Sequence, residues 1–140
     1  MQRTPQNLCP DTGLFCPYFI SMNTTQSGYA AEDQAVDLLK QKGHRILARN
    51  YRKNCGEIDI VSLDGKTLVF CEVKKRNTAA FGGPMAAITK SKQNKIVQTA
   101  QLYIKENTPK FDSIRFDAIC LLGKEVTHIP NAFVPQRSTL

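Results

Sequence analysis

Two acids and a lysine stand inside apolar segments of the chain: Asp59 in Gly56-Glu57-Ile58-Asp59-Ile60-Val61, then Glu72 and Lys74 in Val69-Phe70-Cys71-Glu72-Val73-Lys74. Charges are rarely kept in such surroundings without a task. Two carboxylates that converge can share a hard divalent cation through their oxygens. An ammonium group beside them can orient a water or offset anionic charge. These are the parts of a metal-dependent hydrolase, provided that the elements carrying them bring Asp59 and Glu72 together.

Residues 57–63 and 66–74 read as consecutive strands, rich in Ile, Val, Leu and Phe, with Asp64-Gly65 between them as a hairpin signal. A loop of two or four residues centred on Asp64-Gly65 sets Leu63 against Lys66, Val61 against Leu68, Asp59 against Phe70 and Glu57 against Glu72. Side chains alternate with period two, so Glu57, Asp59, Leu68, Phe70, Glu72 and Lys74 share one side of the sheet. Asp59 and Glu72 are then diagonal neighbours, roughly 7–8 Å apart at the backbone. An uncompensated three-residue loop would instead send Asp59 to the opposite side.

The flanking elements are legible from spacing and stops. A helix is expected over 30–42, with Ala31, Ala35, Leu38 and Leu39 as its apolar stripe, Ser27 as a cap and Gly43 as its stop. Glu32 lies one position off that stripe; it either points along the sheet edge toward a site or is an ordinary first-turn acid favoured by the helix dipole. Residues 44–51 read as a strand with Ile46 and Ala48 on one side and Arg45, Leu47 and Arg49 on the other. A loop over 76–84 carries Gly82-Gly83-Pro84 and is placed to close over a substrate. A second helix is expected over 89–107, with Ile96, Val97, Ala100, Tyr103 and Ile104 inward, followed by strands over 113–122 and 126–129. The order helix, three strands, helix, two strands implies an α/β domain: a mixed sheet of about five strands flanked by helices.

With 140 residues the chain is expected to form one domain over 28–133, preceded by an extension over 1–27 and followed by an irregular tail over 134–140. Residues 1–21 hold three prolines and no periodicity, and read as a disordered stretch upstream of Met22 as an initiator. A signal peptide is the rival reading, opposed by Pro17 within the apolar run and a thin charged region. No window is long enough to span a membrane. Five cysteines, an odd number without any C-x-x-C pair, point to neither a disulfide framework nor a zinc site, and fit a reducing cytoplasm.

Nineteen Lys and Arg against twelve Asp and Glu give a formal charge of +7, which favours polyanionic partners, nucleic acid first. The basic residues cluster at Arg49, Arg52 and Lys53, at Lys74, Lys75 and Arg76, and at Lys90, Lys92 and Lys95. The last group, with Gln93, opens the second helix, whose N-terminus itself favours anions. Each cluster is equally readable as a solvated face.

An aspartate, a dozen residues, then Glu-x-Lys, with Gly28 and Glu32 on an upstream helix, resembles the PD-(D/E)XK restriction-endonuclease-like nucleases, and in layout the archaeal Holliday junction resolvases. The chain resembles more tightly the bacterial YraN family, through Gly-Tyr-Ala-Ala-Glu-Asp-Gln-Ala at 28–35, Ala-Arg-Asn-Tyr-Arg at 48–52, Gly-Glu-Ile-Asp-Ile-Val at 56–61, Val-Phe-Cys-Glu-Val-Lys at 69–74, Arg-Phe-Asp at 115–117 and His-Ile-Pro-Asn-Ala-Phe at 128–133.

The resemblance implies a restriction-endonuclease-like core and a DNA endonuclease, acting on branched DNA such as Holliday junctions. It implies Asp59, Glu72 and Lys74 as catalytic residues, and magnesium or manganese held by Asp59 and Glu72 with help from Glu32. Arg52, Lys75, Arg76, Lys90, Lys92 and Gln93 would contact nucleic acid, and a homodimer is expected by analogy with resolvases. Glu57 departs from many relatives; it is an accessory ligand or water holder, or an ion-pair partner of Arg52 or Lys74. The alternative function is a nucleic-acid-binding module of the same fold without catalysis. Arg115 and Asp117 read best as a buried pair, and the isolated His44 and His128 receive no role.

Overall fold

The computed structural model describes residues 26–76 and 88–135. The expected disordered stretch over 1–21 and the Gly82-Gly83-Pro84 loop lie outside these. Helix α1 (Gln26–Gln41) leads to strands β1 (Arg45–Lys53), β2 (Gly56–Asp64) and β3 (Thr67–Arg76), then helix α2 (Lys90–Asn107) and strands β4 (Ser113–Leu122) and β5 (Glu125–Ile129). The strands stand side by side in sequence order; β3 and β4 run parallel and the other neighbours antiparallel. The result is an α/β fold with a five-stranded mixed sheet between two helices, consistent with a restriction-endonuclease-like core.

Each helix covers one face of the sheet. Ala31, Ala35, Val36 and Leu39 of α1 pack on Ile60, Val69, Cys71, Ile119 and Leu121. On the other face, Ile96, Val97, Ala100 and Tyr103 of α2 pack on Ile58, Val61, Leu68, Phe70, Phe116 and Ala118. Val36, rather than the expected Leu38, completes the buried stripe of α1. That helix also runs from Gln26, so Ser27 lies within it rather than ahead of it. Gly43, at φ 92°, supplies the left-handed residue that ends it. Thr89 caps α2 by accepting the Lys92 amide at 3.2 Å, and Thr108 closes its other end in the left-handed region. Among the described residues no helix is long and apolar enough to cross a membrane.

Two expectations about strands need correction. The β1–β2 register slips between Ile46 and Ala48, so Ile46 faces α1 while Leu47 and Ala48 face α2. The extra residue of a bulge breaks the alternation that had put Ile46 and Ala48 together. In the β2–β3 hairpin, Leu63 pairs with Leu68, Val61 with Phe70 and Asp64 with Thr67. The loop is Gly65-Lys66, with Gly65 at φ 62° in the first loop position that a type II′ turn reserves for glycine. The register is therefore displaced by two residues from a loop centred on Asp64-Gly65. A displacement by two keeps the faces of residues 60–71, but Ile58 packs with Val61 and Phe70 on the α2 side while Ile60 faces α1, so the expected alternation breaks at Asp59. Continued one step past Ile60 and Cys71, the register sets Asp59 level with Glu72 instead of diagonal to it, and Glu57 is no longer opposite Glu72.

Candidate functional site

The ladder between β2 and β3 ends at the Ile60–Cys71 pair. Beyond it the strands part, and the Asp59 carboxylate accepts the Val73 backbone amide at 2.7 Å. Asp59 is thus fixed by β3 itself, at the point where Glu72 and Lys74 leave the same strand.

Glu72 is a buried acid at 4% exposure. Lys74 Nζ lies 3.2 Å from its Oε1, and Lys92 Nζ, from the first turn of α2, lies 3.4 Å from the same oxygen. Its other oxygen, Oε2, is buried without a hydrogen-bond partner among the described residues. Burial and the neighbouring Glu72 charge push the Asp59 carboxyl up to about 7, against the lowering effect of the Val73 amide, with Glu32 and Glu57 adding to the rise. The two carboxylates therefore crowd one low-dielectric place. Asp59 keeps its proton to a higher pH than an ordinary carboxyl.

Glu32 approaches from α1. Its Oε2 accepts Asn50 Nδ2 at 2.7 Å and stands 3.5 Å from Arg49 Nη2. Asn50 adopts the left-handed region at φ 51°, which asparagine tolerates better than most residues, and this turn aims its amide at Glu32. Sequence reasoning passed over Asn50, and its only signal was the side chain's tolerance of such a backbone.

The remaining candidates are spread along one edge. Arg52 Nε binds Glu57 Oε2 at 3.0 Å across the β1–β2 pair. Lys75 and Arg76 are exposed at the end of β3, and Lys90 is exposed at the start of α2. Gln93 turns back on its own helix start, donating to the Ile88 carbonyl at 3.1 Å. The structure thus brings Asp59, Glu72, Lys74 and Lys92 together, with Glu32 acting on Asp59 through its charge, and leaves Lys75, Arg76 and Lys90 outside that group.

A second polar cluster lies on the α1 side of the sheet. Arg115 grips both oxygens of the buried Asp117 at 2.8 and 2.9 Å, His128 Nε2 meets Asp117 Oδ2 at 2.7 Å, and the Asn131 amide donates to Oδ1 at 3.1 Å. Lys42 Nζ lies 2.9 Å from His128 Nδ1. An ammonium can only donate, so Nδ1 accepts and Nε2 carries the proton given to Asp117. Cys71, Asp117 and His128 come within 4.8 Å of one another, a grouping that could hold a metal ion by type. The donors already filling Asp117 and the proton on His128 Nε2 leave no lone pairs aimed inward for one. Sequence spacing concealed this cluster because Lys42 and His128 stand 86 residues apart.

The family model described as "Uncharacterised protein family UPF0102" matches residues 31–121. A UPF0102 protein of Sulfurihydrogenibium sp. is 44% identical over 112 residues, covering 80% of this chain and 97% of that protein. The UPF0102 protein YraN of Escherichia coli O1:K1 / APEC is 42% identical over 114 residues, covering 80% of this chain and 87% of that protein.

Proposed function

This chain belongs to the UPF0102 family, and since that family's name states no reaction, we propose from the geometry of the chain's own residues that it is a metal-dependent endonuclease hydrolysing DNA phosphodiester bonds. The observation that carries this reading is the Oε2 of Glu72, buried without a hydrogen-bond partner among the described residues, beside an Asp59 whose proton affinity is raised. An unsatisfied buried carboxylate oxygen is costly, and a neighbouring acid that must share its space adds to the cost. Magnesium or manganese fits this donor set: hard oxygens from Asp59 and Glu72, with Glu32 adding negative charge from α1. When bound, the ion would supply charge to the scissile phosphate as negative charge develops on its oxygens.

The chain's own residues do the rest. Asp59, fixed by the Val73 amide, presents its carboxylate in one orientation. Lys74 directs its ammonium into the same place, where it orients the attacking water and offsets phosphate charge. Lys92 brings a second positive charge from α2, at the helix end whose amides favour anions. The overall charge of +7 draws a polyanion toward the site. A homodimer acting across branched DNA belongs to the same proposal and is read by light scattering.

Cleavage of branched, nicked and single-stranded DNA with added magnesium or manganese tests the reading. The parent should cut at least one substrate. Lys74→Ala should lower the rate by about 10²–10³-fold, the scale for losing one preorganised charge-stabilising donor, while DNA binding in calcium persists. Binding without cleavage by the parent, in either metal and on every substrate, would instead support a non-catalytic nucleic-acid-binding module. That second reading is favoured by one observation: Lys74 and Lys92 both already sit on Glu72 Oε1.

A further inference from the structure

The β1–β2 turn and the first two turns of α2 border a cavity of about 400 Å³. Its wall carries four cations, Arg52, Lys53, Lys92 and Lys95, against one acid, Glu57. That volume lies in the range of small-molecule sites and exceeds what a lone phosphate needs. Lys92 belongs to two places at once: it lines this cavity, and its Nζ lies 3.4 Å from Glu72 Oε1. The cavity therefore adjoins the Asp59–Glu72 cluster.

Its shape is set by a close approach. A Cβ placed on Gly56 would meet Thr99 Oγ1 at 3.0 Å and Lys95 Cβ at 3.2 Å, so only glycine lets the turn press this tightly on α2. The cations differ in how far they are committed. Lys53 Nζ is held by Glu106 at 2.7 Å. Arg52 is paired with Glu57, but with side chains 72% and 43% exposed that pair is weak and open to exchange for a phosphate. Lys95 has no acidic partner among the described residues. Among the described residues no aromatic ring lines the cavity, so these offer cations rather than a platform on which a base would stack.

We propose that this cavity is a subsite for the nucleotide unit adjoining the scissile phosphate, holding its phosphate through Arg52, Lys92 and Lys95 and reading the backbone rather than the base. The inference rests on the nuclease reading for the position of the cut, but the binding it asserts does not require cleavage. It makes the preferred ligand a polynucleotide that continues past the cut, with little dependence on sequence.

The test is fluorescence anisotropy of short labelled DNA oligonucleotides with the full chain in EDTA, over a range of salt. The Arg52→Ala/Lys95→Ala double variant should bind about tenfold more weakly, with a salt slope smaller by about 1–2, as expected for one or two lost phosphate contacts. A charge-matched Lys66→Ala/Lys110→Ala variant, altered at the opposite end of β2 where the Asp112 amide joins the Lys66 carbonyl, should change affinity far less. Oligonucleotides of different base composition should bind alike. Equal weakening by the two double variants, or affinity that follows base sequence, would overturn the subsite. If the parent cuts nothing but the Arg52/Lys95 effect persists, the subsite stands and the nuclease reading falls. If the parent cuts DNA and the Arg52/Lys95 variant keeps its KM, the subsite falls and the nuclease reading stands.

Discussion

Asp59 and Asp117 are both acids brought into a sheet interior, and they are treated in opposite ways. Asp117 is surrounded by donors: Arg115 twice, His128 and the Asn131 amide. Burial alone would raise its proton affinity, but His128, Arg115 and Asn131 together hold the carboxyl below the usual carboxylate range. Asp59 has one backbone donor and a second acid for a neighbour, and its carboxyl is pushed up to about 7. A fully satisfied buried charge braces a fold. An unsatisfied one weakens the fold, and its raised proton affinity marks a candidate functional site.

The comparison breaks most visibly at Asp117. Asp117→Ala leaves the Arg115 guanidinium with Asp64 at 3.0 Å but takes away its bidentate partner, and should cost about 3–5 kcal/mol in denaturant unfolding, the range for removing one member of a buried pair. A loss below about 1 kcal/mol, as for an exposed pair, would show that the donors do not stabilise the fold.

Asp59→Asn should act in the other direction. A carboxyl whose folded-state affinity is raised contributes stability while protonated and loses it as pH climbs from its ordinary value near 3.8 through about 7. Thermal unfolding in EDTA should therefore find the asparagine variant more stable than the parent at pH 8, by about 1–3 kcal/mol. The gain should shrink toward pH 4. Asp117 carries the reverse sign, with its contribution present above the ordinary carboxylate range and lost on acidification. A variant destabilised equally at both ends of the pH range would remove the contrast.

The smallest expected effect sharpens the comparison with metal. At ten times its dissociation constant, magnesium or manganese should stabilise the parent by about 1.4 kcal/mol through mass action, read as a rise in Tm. Asp59→Asn and Glu72→Gln should abolish that rise, and substitution at Asp117 should not abolish it in whatever fraction folds. A metal shift that survives loss of Asp59 and Glu72 would place the ion elsewhere.

Much of this was open to a reader of the sequence. The apolar runs and their stops carry the order of the seven elements among the described residues, because hydrophobic period and glycine or proline punctuation are local properties. Asp59, Glu72 and Lys74 were visible as charges in apolar company. The hairpin register came out two residues adrift, since Asp64-Gly65 signals a turn but not which residue occupies its first position. The bulge after Ile46 was invisible: an inserted residue leaves no mark in composition. Lys92 meets Glu72, and His128 meets Asp117, only through tertiary packing across the parallel β3–β4 pair and the β4–β5 turn.

The bond from the Val73 amide to Asp59 has a practical consequence for mutagenesis. In the continued register Val73 would be zipped to Ile58, main chain to main chain, and the hairpin would be sealed. The aspartate works as a wedge, whatever else it binds. An alanine there invites the seam to shut, so an inactive alanine mutant confounds lost chemistry with a collapsed cleft, and only a side chain that still accepts from that amide tells the two apart.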